Sequence, residues 1–339
     1  MVSPLKRWPG EVFREINVPG PPLTGMKPSL LALALMLPSL SCTTASTPQP
    51  EEAGTVHWSR ILETAQASSA QTGKPVFALF QEIPGCAGCK QFGREVMSNP
   101  LLVEAVESEF TPLLIHNNKG GKDAEVLKRF GEPAWNYQVV RFLNANAEDI
   151  IPRKDQVWNT GGIAERMIAT LTQAKRPVPT YLTLLAAEHS PRLKQAVFAM
   201  YCFWTGEMSL GQIDGVVTTE AGFMAEHEVT LVKYDPAVIS LPQLITAAEK
   251  VECANAVSVP ATDLPTAKTT RLKVGTISGY RTAPLSDQKK QIGGTTAEKL
   301  PLSPAQATKV NAWIRTDPSK AQSFLTKSQR AQLKAGAGR

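Results

Sequence analysis

The sequence predicts a mixed chain: an α/β region, then an α+β region, then a small helical tail. Three observations carry that prediction. Continuous apolar runs of strand length alternate with helical patterns through the first half. Arg176-Pro177-Val178-Pro179 then breaks the chain. Beyond the break a strand, a helix, two strands and another helix follow closely.

Taken in order, the pattern predicts an amphipathic helix over 58–70 and a buried parallel strand over 75–80. The segment QEIPGCAGCK, from Gln81 to Lys90, leads into a helical pattern over 91–109. A strand over 110–116, a short helix over 123–130 and a strand over 137–143 come next. Asn144-Ala145-Asn146-Ala147 makes a turn, and Gly161-Gly162 opens a helix running to 175. After the proline break, the pattern gives a short helix over 181–189 and a strand over 193–200 leading into Cys202. A helix to about 213, strands over 215–223 and 228–234, and an amphipathic helix over 241–253 complete this region. Past Pro260 the pattern weakens, with one strand near 271–274, and two short helices pack together after Ser303.

Composition narrows the function. The chain has 339 residues, 42% of them hydrophobic and 19% charged, which describes a globular protein. Its net charge of +6 is spread along the chain, so no nucleic-acid partner is expected. From Met26 the sequence MKPSLLALALMLPSLSC reads as a secretory signal, because its apolar run is too short to span a bilayer. Residues 1–25 then read as a misplaced start, and 43–55 as a polar, proline-rich tether. Ser39-Leu40-Ser41-Cys42 resembles a bacterial lipobox, which implies a lipid anchor at Cys42. The leucine stands two residues before the cysteine where three is usual, and cleavage after Ala45 is the alternative. Both readings place the protein in the cell envelope, periplasmic or anchored.

Five cysteines, at 42, 86, 89, 202 and 253, are too few for a disulfide scaffold of this size and read as chemistry. Cys86-Ala87-Gly88-Cys89 lies between a buried strand and a helix, where the helix N-terminus stabilises a thiolate. The alternative is half of a zinc site, but the sequence has no second C-x-x-C or histidine pair to complete it. No metal or other cofactor is therefore expected. His116, His189 and His227 lie apart in sequence and form no ligand set. Cys202 sits among aromatics in AMYCFWTGE and is either a nucleophile or a buried core thiol. Cys253 either resolves an oxidised Cys202 or fills the core as a small hydrophobe.

The Lys74-Pro75-Val76 approach to the strand, C-x-x-C-Lys, and the spacing to Phe110 and Val139 make residues 58–175 resemble the thioredoxin fold. The resemblance implies that Cys86 attacks and Cys89 resolves. It departs where thioredoxins carry a cis-proline facing the cysteines, since Gln138 stands there. Ile83-Pro84-Gly85-Cys86 also resembles a bacterial thioredoxin-like group with a V-P-G-U motif, in which selenocysteine can stand at the position of Cys86.

Cys202-Phe203-Trp204-x-x-Glu207 resembles the G-C-F-W-G-x-E core of methionine sulfoxide reductase A, a family with a ferredoxin-like α+β fold. Gly215-Val216, Thr219, Gly222-Phe223, Glu228, Asp235-Pro236, Ile239 and Leu244 continue the match. The resemblance implies that Cys202 is the nucleophile, that Phe203 and Trp204 hold the substrate methyl, and that Glu228 is the acid. Tyr280, in Gly279-Tyr280-Arg281-Thr282, is the candidate for the family's substrate-binding tyrosine. Three departures stand out. Tyr201 replaces a glycine, the loop between Phe223 and Glu228 is shortened, and Gly275 stands where the family has aspartate.

The expected division is a leading segment and tether over 1–57, a thioredoxin-like domain over 58–176, a sulfoxide reductase-like domain over 177–290, and a helical tail over 291–339. The resemblances imply an exported redox enzyme whose first domain supplies electrons to the second. Its partners would be oxidised methionine or a disulfide-bearing protein, with an upstream thiol donor. One alternative is a thiol–disulfide oxidoreductase acting through Cys86 and Cys89 alone, with a degenerate second domain. Another is a non-enzymatic envelope lipoprotein with static disulfides.

Overall fold

Two sheets organise the chain in a computed structural model that describes residues 49–134 and 138–336. The signal segment, Cys42, and Tyr137 at the start of the expected third strand lie outside the described residues. The described residues all fall in one compact unit.

The first lobe runs α1 (Leu62–Thr72), β1 (Val76–Gln81), α2 (Ala87–Glu95), α3 (Pro100–Glu109), β2 (Thr111–His116), α4 (Lys122–Phe130), β3 (Gln138–Leu143) and α5 (Thr160–Gln173). Its sheet has the order β2-β1-β3, with β1 parallel to β2 and antiparallel to β3. All six residues of β1 are buried: the apolar run Val76–Phe80 requires it, and the strand ends in the buried polar Gln81. Phe77 anchors the core edge-on to Phe142, with ring centroids 5.3 Å apart. The single helical pattern expected over 91–109 is two helices. The Asn99 side chain accepts from the N–H groups of Leu101 and Leu102, and Pro100 occupies the first turn of α3, so a new helix starts there.

The expected tether also folds at its far end. Glu51–Ala53 form a short 3-10 turn, with Glu52 and Ala53 buried against the first lobe. Gly93 of α2 permits this contact, because a Cβ there would stand 1.9 Å from the Glu51 carbonyl oxygen. The first lobe therefore begins near residue 49, ahead of the boundary expected at 58.

α6 (Thr180–Glu188) lies just past the second expected boundary. The sequence assigns it to the domain beginning at 177, yet Tyr181, Leu182, Leu185 and Ala186 pack into the first core. Leu184 faces a different cluster with Val217, Ala305 and Val310. A helix apolar on both sides is buried on both sides, so α6 joins the lobes.

The second lobe runs β4 (Lys194–Ala199), α7 (Phe203–Gly211), β5 (Val216–Met224), β6 (His227–Tyr234), α8 (Leu241–Lys250), β7 (Ala256–Val259), α9 (Leu264–Ala267), β8 (Lys273–Thr276) and β9 (Arg281–Thr282). Its six strands have the order β8-β7-β4-β6-β5-β9. The inner four, with α7 and α8 between them, form a split β-α-β-β-α-β unit. The sequence pattern does not show β7 or the two-residue β9. The tail follows as α10 (Pro304–Trp313), α11 (Pro318–Ser323) and α12 (Lys327–Gly336). α10 closes against α7: Lys309 donates to the Gly211 carbonyl at 2.8 Å, satisfying the C-terminal end of that helix. No helix among the described residues is long and apolar enough to cross a membrane.

Candidate active site: two thiol centres

The first centre grows from the end of β1. Cys86 caps α2, which places its sulfur over the helix N-terminus. The Cys86 and Cys89 sulfurs are 3.7 Å apart, with Cys86 exposed and Cys89 buried. Gly85 is required by this close turn, since a Cβ would meet the Cys89 Cβ at 2.6 Å. The Glu52 carboxylate accepts from the Gly85 N–H at 2.9 Å, and the Gln81 amide donates to the Cys89 carbonyl at 3.1 Å. The supposed tether thus supplies a support for the cysteine loop. Gln138 was expected to face the cysteines, and its Oε1 lies 3.7 Å from the Cys89 sulfur.

The two thiols are strongly unequal. The Cys89 N–H donates to the Cys86 sulfur and lowers its pKa below the ordinary thiol value of 9.0, against a smaller upward push from burial. Burial pushes the Cys89 thiol up to about 12, and the Cys86 sulfur adds to the rise. At pH 8 iodoacetamide is therefore expected to alkylate Cys86 quickly and leave Cys89 unmodified until the chain unfolds. Peptide mapping reads this directly, and equal labelling of both in the folded chain would contradict the asymmetry.

The second centre forms where β4 meets α7. Cys202 is half-buried and caps α7 in extended conformation. The Glu228 carboxylate accepts from the Phe203 N–H at 2.8 Å, so acid and cysteine meet at one helix start. The hairpin makes this possible. Phe223 pairs with Glu228 and Met224 with His227, leaving a two-residue turn of Ala225 and Glu226. Both turn residues have positive φ, as such a tight reversal demands. The shortened loop thereby keeps Glu228 on the face of β6 that meets α7.

Phe203 is buried edge-on to Phe223 with ring centroids 5.4 Å apart, while Trp204 lies at the surface beneath the Lys290 ammonium, 4.7 Å away. Tyr201 is 94% exposed beside Cys202 and is not part of the packing. Glu207 is fully buried. It pairs with the Lys289 ammonium and accepts from the Lys289 N–H at 2.6 Å, which ties the 283–290 segment to α7. Sequence reasoning missed Lys289, because its segment has no periodicity and the pairing spans many residues.

Tyr280 is a correction. Its hydroxyl donates to the Glu220 carboxylate at 2.8 Å, and its ring covers Gly222. Side chains alternate across a strand, so Glu220 and Gly222 face away from Ala221 and Phe223, which pack on Phe203. Tyr280 therefore lies on the sheet face opposite Phe203, away from the start of α7.

Cys253 is 2% exposed at the end of α8, within the core beneath α7. Burial pushes its thiol pKa up; the Ser209 side chain of α7 opposes this, and the charge of Cys202 adds to it. Among the described residues the groups of metal-ligating side chains contain no histidine.

No protein-family model matches the chain. Part of it is 37% identical over 70 residues to a peptide methionine sulfoxide reductase MsrA of Brucella anthropi, covering 16% of this chain and 32% of that protein. It is 39% identical over 66 residues to peptide methionine sulfoxide reductase A5 of Arabidopsis thaliana, covering 16% and 26%. Among solved structures, a DsbH oxidoreductase aligns at 15% identity over 39% of this chain and 92% of its own, with a TM-score of 0.30. The chain thus spans about a third (32%) of the first of the curated relatives it matches, and the similarity is to peptide methionine sulfoxide reductases.

Proposed function

We propose that the chain is a thiol-dependent oxidoreductase in which Cys202 reduces a methyl sulfoxide, of oxidised methionine or a related compound, and a thioredoxin-like dithiol at Cys86 and Cys89 restores it. The observation that carries this reading is the Glu228 carboxylate held 2.8 Å from the N–H of Phe203, at the helix start that Cys202 caps. The Cys202 thiolate attacks the sulfoxide sulfur while Glu228 gives a proton to the oxygen. The attack forms a sulfur–sulfur bond, and the hydroxyl then transfers from the substrate sulfur to the Cys202 sulfur. The substrate sulfur–oxygen bond and the new sulfur–sulfur bond both break, and the departing sulfide leaves Cys202 as a sulfenic acid. Two electrons pass from the cysteine sulfur to the substrate.

The Cys253 thiol then attacks the sulfenic sulfur, expels water and closes a Cys202–Cys253 disulfide. The Cys86 thiolate opens that bond, Cys89 attacks the mixed disulfide, and both cysteines of the second lobe return to thiols. An outside thiol donor must reduce the Cys86–Cys89 disulfide that remains. The secretory pattern and Cys42 support an envelope location for this chemistry, with a lipid anchor as one form of it.

A second reading is favoured by Tyr280, which is spent on Glu220 and leaves the Cys202 pocket without its expected tyrosine. In it, Cys86 and Cys89 alone reduce disulfide-bearing proteins. A single-turnover experiment separates the two. One equivalent of methyl sulfoxide is added to the prereduced chain, and the disulfides are mapped by mass spectrometry. The first reading expects a Cys86–Cys89 disulfide; the second expects both thiols to stay reduced.

A further inference from the structure

The sequence lacks a second C-x-x-C or histidine pair to complete a metal site with Cys86 and Cys89. The fold supplies other donors. An oxygen of Glu82 and the sulfurs of Cys86 and Cys89 all lie within 4.8 Å of one another. Gln138 Oε1 also approaches the Cys89 sulfur to 3.7 Å. We propose that Cys86, Cys89 and Glu82, with Gln138 beside them, form a site for a single Zn²⁺ ion.

Geometry is the first support. Two thiolates bound to one tetrahedral zinc, each about 2.3 Å from it, stand about 3.8 Å apart. The Cys86 and Cys89 sulfurs are 3.7 Å apart without any rearrangement. Chemistry is the second. Thiolate sulfur with carboxylate oxygen is a donor set that zinc accepts and that magnesium and calcium do not favour. Two thiolates and the Glu82 carboxylate place three negative charges around the divalent ion. Access is the third: Cys86 is exposed, so an ion can enter from solvent, while Cys89 and Gln138 form the buried wall.

Binding displaces one proton from each thiol to solvent, and both sulfurs donate electron pairs to the metal. No electrons are transferred. A dithiol so engaged cannot attack a disulfide until the ion leaves, so zinc would hold the first centre reduced and silent. This inference does not depend on sulfoxide reduction at Cys202.

Co²⁺, titrated into the reduced full chain without oxygen and then displaced by Zn²⁺, serves as the probe. The expected result is one Co²⁺ per chain, with sulfur-to-cobalt charge-transfer absorption that Zn²⁺ abolishes. The absorption should vanish in Cys86→Ser and in Cys89→Ser. Glu82→Gln, of nearly identical shape, should weaken Zn²⁺ binding by more than about tenfold, with circular dichroism verifying an unchanged fold. Absence of the absorption, its survival in either cysteine variant, or unchanged affinity in Glu82→Gln would overturn the site.

Discussion

Cys202→Ser is expected to lower reduction of a methyl sulfoxide, supplied with a chemical dithiol, by at least about a thousandfold. The reasoning is local. Cys202 is the only described cysteine beside an acid at the start of α7, and Cys253 is buried in the core behind it. A serine hydroxyl fits the same N-cap position, so the variant should fold while losing the sulfur that accepts oxygen. Cys86→Ser in the same assay should keep its rate, because the chemical dithiol replaces the first centre. Steady-state assays of the two variants check the pair of expectations, and the reverse pattern would assign the chemistry to the first centre.

Glu228→Gln is expected to cost roughly 10²–10⁴-fold in kcat, the usual range for a lost general acid. The glutamine side-chain oxygen can still accept from the Phe203 N–H, so the hairpin and the helix start stay in place. Only the transferable proton is gone. The KM should change little, because Phe203 and Trp204 are untouched. A raised KM with an unchanged kcat would instead make Glu228 a binding group.

Most of the framework was legible because local pattern and fold agree. The apolar run through β1, the strand-to-helix cysteines and the hairpin residues around Glu228 all lie where the sequence placed them. The break between α2 and α3 was also written locally, in Asn99-Pro100, but an apolar helical period on both sides hid it. The misses share one cause: they depend on partners remote in sequence. Glu52 reads as tether until Gly85 and Gln81 are brought to it. Lys289 reads as a surface charge until Glu207 is buried against it. Tyr280 follows its motif, yet the two-residue alternation of β5 decides which face it meets. The sharing of α6 has the same cause, because it needs both cores to bury its two apolar sides.

The central claim is that Cys202 takes oxygen from a sulfoxide. The direct measurement uses the reduced Cys253→Ser chain, in which a sulfenic acid cannot be resolved by that cysteine. A methyl sulfoxide and a sulfenic-acid-specific probe are added together, and labelled peptides are mapped. The account predicts label on Cys202 that appears only with the sulfoxide and is absent from Cys86 and Cys89. An unlabelled Cys202 under those conditions would contradict it.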